Sequence, residues 1–196
     1  MMTSEKRKAQ IQAITIGAVL TALVIILQML GSFIRFGIFS VSLVLVPIVI
    51  GAATCGVGVA TWLGLVFGAV VLLSGDAAPF MSISMVGTII TVMVKGMACG
   101  FVAGVVYKGL KKAKVSHLIS VMGAAVVCPI VNTGVFLLGC AVFFLEGITP
   151  WGVDAGYNNV VAYMFLALAG GNFIFEMLTN LILGPAIVTL LKTFKR

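Results

Sequence analysis

Charge is what this sequence has least of. Only 9% of its 196 residues are Asp, Glu, Lys or Arg, against about 25% in a soluble domain. The carboxylates number five (Glu5, Asp76, Glu146, Asp154 and Glu176), and His117 is the single histidine. These groups lie far apart, and nothing in the sequence matches a nucleophile–base pair, a phosphate-binding loop or a metal cluster, so the chain does not read as an enzyme. The four cysteines (Cys55, Cys99, Cys128, Cys140) form no CxxC pair and sit in apolar surroundings. They read as small buried hydrophobes rather than a disulfide or metal set.

What is abundant is apolar surface. Hydrophobic residues make up 62% of the chain and the mean hydropathy is +1.27. A soluble fold of this length would leave most of that surface in water, so the composition implies an integral membrane protein in a lipid bilayer. At roughly 20 residues per spanning helix, the length suits six spans and leaves no room for an ATPase or other soluble module. The apolar run Ile11–Gly31 is longer than the core of a signal peptide, roughly 7–15 residues, and reads as the first membrane helix.

The expected architecture is all-α, a polytopic bundle of six transmembrane helices in one domain over residues 1–196. The helices are expected at about 11–31, 39–54, 57–74, 83–107, 116–145 and 159–191. Barrel strands would alternate polar and apolar residues, and these runs do not. Basic residues cluster at Lys6, Arg7 and Lys8, at Lys108, Lys111, Lys112 and Lys114, and at Lys192, Lys195 and Arg196. With six spans all three clusters share one side, which the positive-inside rule makes cytoplasmic. Both termini are then cytoplasmic, and the net charge of +7 is a topology signal, not a nucleic-acid footprint. Gly96, Gly100 and Gly104 share one face of the fourth helix, and Gly64 and Gly68 one face of the third. Such faces allow close helix approach. No inverted repeat is visible.

The polar groups inside the spans carry the functional signal. Lys95 lies in the fourth helix, Asn132 in the fifth, and Asn172, Glu176 and Asn180 repeat along one face of the sixth. At 1.5 Å per residue, Lys95, Asn132 and Asn172 lie roughly 15–20 Å below the outer surface, with Glu176 a turn deeper. A charge at that depth costs roughly 2.5–3.5 kcal/mol and therefore faces the bundle interior or a watery cavity. Two readings stay open: a buried Lys95–Glu176 ion pair with asparagines satisfying the backbone, or a solute site. The outer loops add Arg35 and Phe36, a cation flanked by aromatics, then Ser74–Phe80, and then Thr149–Asp154 with Tyr157, Asn158 and Asn159. Trp151 and Tyr157 suit the aromatic belt of a membrane interface.

Local segments then carry a resemblance. Thr15–Leu23 sets Ala18 and Ala22 four residues apart, Val41–Ala52 forms an apolar second helix, and the fourth helix ends Gly100–Lys108. In this order the chain resembles the substrate-binding (S) component of an energy-coupling factor (ECF) transporter, a bacterial importer of vitamins and micronutrients. The resemblance implies solute capture near the outer face of the bacterial cytoplasmic membrane. It also implies docking through Ala18 and Ala22 on a transmembrane coupling subunit that carries two cytoplasmic ATPases. Cofactors in this chain are then none, with ATP used by the partner ATPases. Arg35, Phe36, Lys95, Asn132, Asn158, Asn172 and Glu176 become candidate contacts for a small-molecule vitamin. Thr91–Gly96 and Asn132–Phe136 resemble the pantothenate branch, and Lys95 suits a carboxylate. Riboflavin, stacked on the loop aromatics, is the alternative vitamin. A gradient-driven transporter or channel with a Lys95–Glu176 relay and a ligand-free membrane assembly subunit are the alternative classes.

Overall fold

In hydrocarbon every backbone polar group needs an internal partner, so long apolar runs become helices. The computed structural model describes residues 4–32, 35–36, 39–40 and 43–193. Helix α1 runs Ser4–Gly31, α2 Leu45–Thr54, α3 Val57–Leu73, α4 Ala78–Met81 and α5 Met85–Lys112. Helix α6 (His117–Gly139) passes through a π-helical stretch, Cys140–Phe144, into α7 (Leu145–Asp154). Helix α8 (Val160–Tyr163) passes through a second, Met164–Gly170, into α9 (Gly171–Thr193). Four of these stretches are long and apolar enough to cross a membrane: Gln10–Gly31, Met85–Lys112, His117–Asp154 and Val160–Thr189.

The second and third expected spans are shorter than six equal crossings require. Helix α2 has ten residues, or about 15 Å at 1.5 Å per residue, half of the roughly 30 Å hydrocarbon core. It starts at Leu45 rather than 39, because Phe39–Ser40 (β2) pairs antiparallel with Arg35–Phe36 (β1) in a two-residue ribbon. Every residue from Leu45 to Ala52 is buried. A helix that is apolar on all sides belongs inside a bundle, and α2 is the centre of the larger core cluster, packed among α1, α3, α5, α6 and α9. Gly56, at φ 92°, makes the turn into α3, a conformation that a side chain would oppose.

Helices α3 and α5 pack backbone to backbone. A Cβ on Gly64 would collide with the Gly96 carbonyl, one on Gly100 with the Ala60 carbonyl, and one on Gly104 would lie 2.8 Å from Val57 Cα. The two glycine faces seen in the sequence therefore face each other, antiparallel. This contact puts the start of α3 beside the lysine-rich α5–α6 link, the basic end of the bundle. Gly17 of α1 meets Val59, and Gly184 of α9 meets Ala125, so the first and last helices also reach toward that end. At the far end a second core cluster gathers Phe80, Phe144, Ile148, Tyr163 and Leu168.

The segment Thr149–Asp154, expected as loop, is helical in α7. Its helix survives Pro150 because Ile148 is buried in the far-end cluster and Gly147 packs on Ile83. Trp151 lies on Phe80, with ring centroids 5.7 Å apart, so it is a packing residue of this end.

Candidate functional site

A cavity opens between the two core clusters, walled by α1, α3, α5, α6 and α9 and by the α3–α4 link. Lys95 reaches into it from α5. Its Nζ lies 5.4 Å from the ring centre of Phe67 and 5.6 Å from that of Phe136, positions in which the ring faces attract a cation. Among the described residues no carboxylate oxygen comes within the 4.0 Å of an ion pair with it. The buried Lys95–Glu176 pair is therefore not formed, although both groups line the same cavity.

Glu176 has its own partners instead. It is 1% exposed and accepts a hydrogen bond from Asn132 Nδ2 at 3.2 Å and another from Asn172 Nδ2 at 3.0 Å. Asn172 stands one turn before it on α9, the spacing at which helical side chains meet, and Asn132 reaches across from α6. A carboxylate held by two amide donors is a satisfied buried group. Nearer the far end, Asp76 accepts from Gln28 Nε2 at 2.7 Å and from Ser74 Oγ at 3.0 Å. Thr88 and Thr91 of α5 complete the polar wall; Thr88 Oγ1 donates to the Ser84 carbonyl, 2.8 Å away. Phe80 roofs the cavity with rings of Phe136 at 5.5 Å, Phe144 at 5.2 Å and Trp151 at 5.7 Å.

The arrangement is thus one ammonium with no carboxylate of the described residues at ion-pair distance, two carboxylates in the same cavity that have other donors, and aromatic surface above and beside them. Gln28 Oε1, Thr91 Oγ1 and Asn132 Oδ1 are buried acceptors without a hydrogen-bond partner. Chemically, such a lining is complementary to an anionic end, hydrogen-bond donors and apolar bulk.

A family model described as "ECF transporter, substrate-specific component" matches residues 12–191. The chain belongs to this family. No curated protein and no solved structure matches it. ECF S components are solute-binding subunits of vitamin and micronutrient importers, act with a membrane coupling subunit and ATPases, and are themselves non-catalytic transport subunits.

Within this S component, the cavity brings together Lys95, Asn172 and Glu176, with Asn132 immediately behind Glu176. It does not include Asn158, which is exposed between α7 and α8. The neighbouring Asn159 caps α8, its Oδ1 accepting from the Val161 N–H at 2.8 Å. Arg35 and Phe36 contribute backbone to the ribbon, and their side chains lie outside the described part of the structure. Asn180, one turn beyond Glu176, is fully buried with neither amide atom paired. Ala18 and Ala22 are exposed on α1. Ala18 lies in a shallow apolar groove with Gly17, Thr21, Val59 and Trp62, where the Trp62 indole N–H donates to Thr21 Oγ1 at 3.2 Å.

Several cavity residues escaped the sequence reading. Phe67, Phe136 and Phe144 look like any other apolar side chain in a span, and Phe80 like one more aromatic of an outer loop. Gln28 had a signal, a lone amide near the end of a long apolar helix, of the kind that faces a bundle interior.

Proposed function

We propose that this S component captures a small carboxylate-bearing vitamin, pantothenate being the leading candidate, and presents it to an ATP-driven coupling module. Lys95 carries the reading: an ammonium lining a cavity, held against two aromatic rings, with no carboxylate of the described residues at ion-pair distance. The solute carboxylate supplies the missing anion through charge-assisted hydrogen bonds. Pantothenate also offers two hydroxyls and an amide to the unpartnered acceptors of the wall, and its dimethyl carbon to the aromatic roof. The resemblance of Thr91–Gly96 and Asn132–Phe136 to the pantothenate branch supports the same choice.

The bundle stands with its basic end in the bacterial cytoplasm and the cavity toward the outside, following the lysine clusters. The free volume of about 70 Å³ is well below the roughly 300–1,000 Å³ of usual ligand pockets. Capture therefore includes withdrawal of the Phe80–Trp151 roof. The exposed alanines of α1 form the docking strip for the coupling subunit, small residues suiting close helix contact.

The test is thermal unfolding of the purified chain against single vitamins. Pantothenate is expected to raise the midpoint, while riboflavin leaves it unchanged. A shift with riboflavin instead would assign the roof, rather than Lys95, as the recognition element. No shift with any vitamin would refute the proposal.

A further inference from the structure

We propose that Gln28 contacts the solute directly and that α1 thereby senses whether the cavity is filled. The proposal deepens the substrate reading above and rests on it. Gln28 is the one described residue of α1 that lines the cavity, and it is 2% exposed. Its amide orientation is fixed by chemistry. The Asp76 carboxylate 2.7 Å away only accepts, so the NH2 group points to it and Oε1 remains as the free acceptor. That carbonyl has no hydrogen-bond partner, an arrangement that native interiors rarely leave standing. A hydroxyl of the solute satisfies it. The solute class narrows accordingly to a hydroxy carboxylic acid, its carboxylate at Lys95 and a hydroxyl at Gln28.

Helix α1 is also the element that carries Ala18 and Ala22. It runs without a proline or π turn from Ser4 to Gly31, unlike the interrupted α6–α7 and α8–α9 stretches. At 1.5 Å and 100° per residue, Ala22 and Ala18 lie about 9 and 15 Å along the axis from Gln28, and about 80–120° around it. A buried polar contact at one level and an exposed small-residue strip at another thus belong to one rod. A donor bonded to Gln28 biases the placement of that rod, and docking on the strip biases it in return, because coupling between sites is reciprocal.

The experiment uses the purified full chain, pantothenate, and a pantothenate analogue with both hydroxyls replaced by hydrogen. Gln28→Met keeps the length of the side chain but removes donor and acceptor. It is expected to weaken pantothenate at least tenfold and the deoxy analogue less than twofold. Affinity for the coupling module, measured with and without saturating pantothenate, is expected to differ in the native chain and to agree within twofold in Gln28→Met. The native chain with the deoxy analogue gives the same readouts without relying on a variant that folds: at least tenfold weaker binding and no effect on docking affinity. Unchanged pantothenate affinity in Gln28→Met, equal weakening of both ligands, or a solute effect on docking that survives the substitution each overturns the proposal. Failure of the native chain to bind pantothenate refutes the substrate reading instead, and the two failures are told apart by that control.

Discussion

Replacing Lys95 by Met separates a solute-reading cation from a structural one. A buried ion pair broken by removing one partner costs about 3–5 kcal/mol, which would unfold or badly weaken the chain. Lys95 has no carboxylate within 4.0 Å among the described residues and rests on two phenyl rings. An ammonium at this depth costs roughly 2.5–3.5 kcal/mol, and two desolvated cation–π contacts return about 2 kcal/mol each. These nearly cancel, so the solute-free Lys95→Met protein is expected to unfold within about 1–2 kcal/mol of the native chain. Binding behaves differently. A charge-assisted hydrogen bond contributes about 1.5–3 kcal/mol, which at about 1.4 kcal/mol per decade is roughly ten- to a hundredfold in affinity. Titration calorimetry with pantothenate should show that loss. Pantothenol, in which an alcohol replaces the carboxylate, should lose less than threefold. Equal losses for both ligands, or collapse of the solute-free protein, would refute the role given to Lys95.

Asn132→Leu removes one of the two donors to the fully buried Glu176 carboxylate and is expected to destabilise the chain by about 1.5–3 kcal/mol, read by reversible unfolding in detergent. Ala18→Trp or Ala22→Trp fills an exposed small-residue site on α1; complex assembly with the coupling subunit should be lost in co-purification while pantothenate affinity stays within twofold. Gly100→Ala drives a methyl into the Ala60 carbonyl and should cost at least the 1–3 kcal/mol, roughly, of ordinary overpacking. Gly134→Ala, where an added Cβ meets no described atom beyond its own helix within 4 Å, should instead stabilise its helix by about 0.5–1 kcal/mol, and the pair of melting curves checks both.

The level of the site was legible because charge inside an apolar run is conspicuous. Lys95, Asn172 and Glu176 stand out by type and depth alone, and α-helical spacing puts Asn172 one turn from Glu176. Their pairing was not legible. Whether Glu176 takes its donors from Lys95 or from two asparagines depends on how α5, α6 and α9 rotate about their axes, which the apolar pattern of a membrane helix leaves open. The aromatic roof was hidden for a related reason: Phe136 and Phe144 differ in nothing from phenylalanines that face lipid, and Phe80 in nothing from an interfacial aromatic of an outer loop. Helix α2 begins at Leu45 and not at 39, and the sequence carries a sign of it: Phe39, Ser40, Val41, Ser42 and Leu43 alternate apolar and polar, the period of an extended strand rather than a helix, and Phe39–Ser40 pairs as β2. Thr149–Asp154 contains Pro150 and Gly152, residues that favour turns over helix. Burial of Ile148 and the contact of Trp151 with Phe80 outweighed that local preference.

The central claim is that the Lys95 cavity holds a carboxylate-bearing vitamin, and mass spectrometry of what the gently purified chain releases on denaturation tests it most directly. Pantothenate, released from the native protein and missing from Lys95→Met, is the expected result. Riboflavin or a neutral solute, or pantothenate retained equally by both proteins, would contradict it.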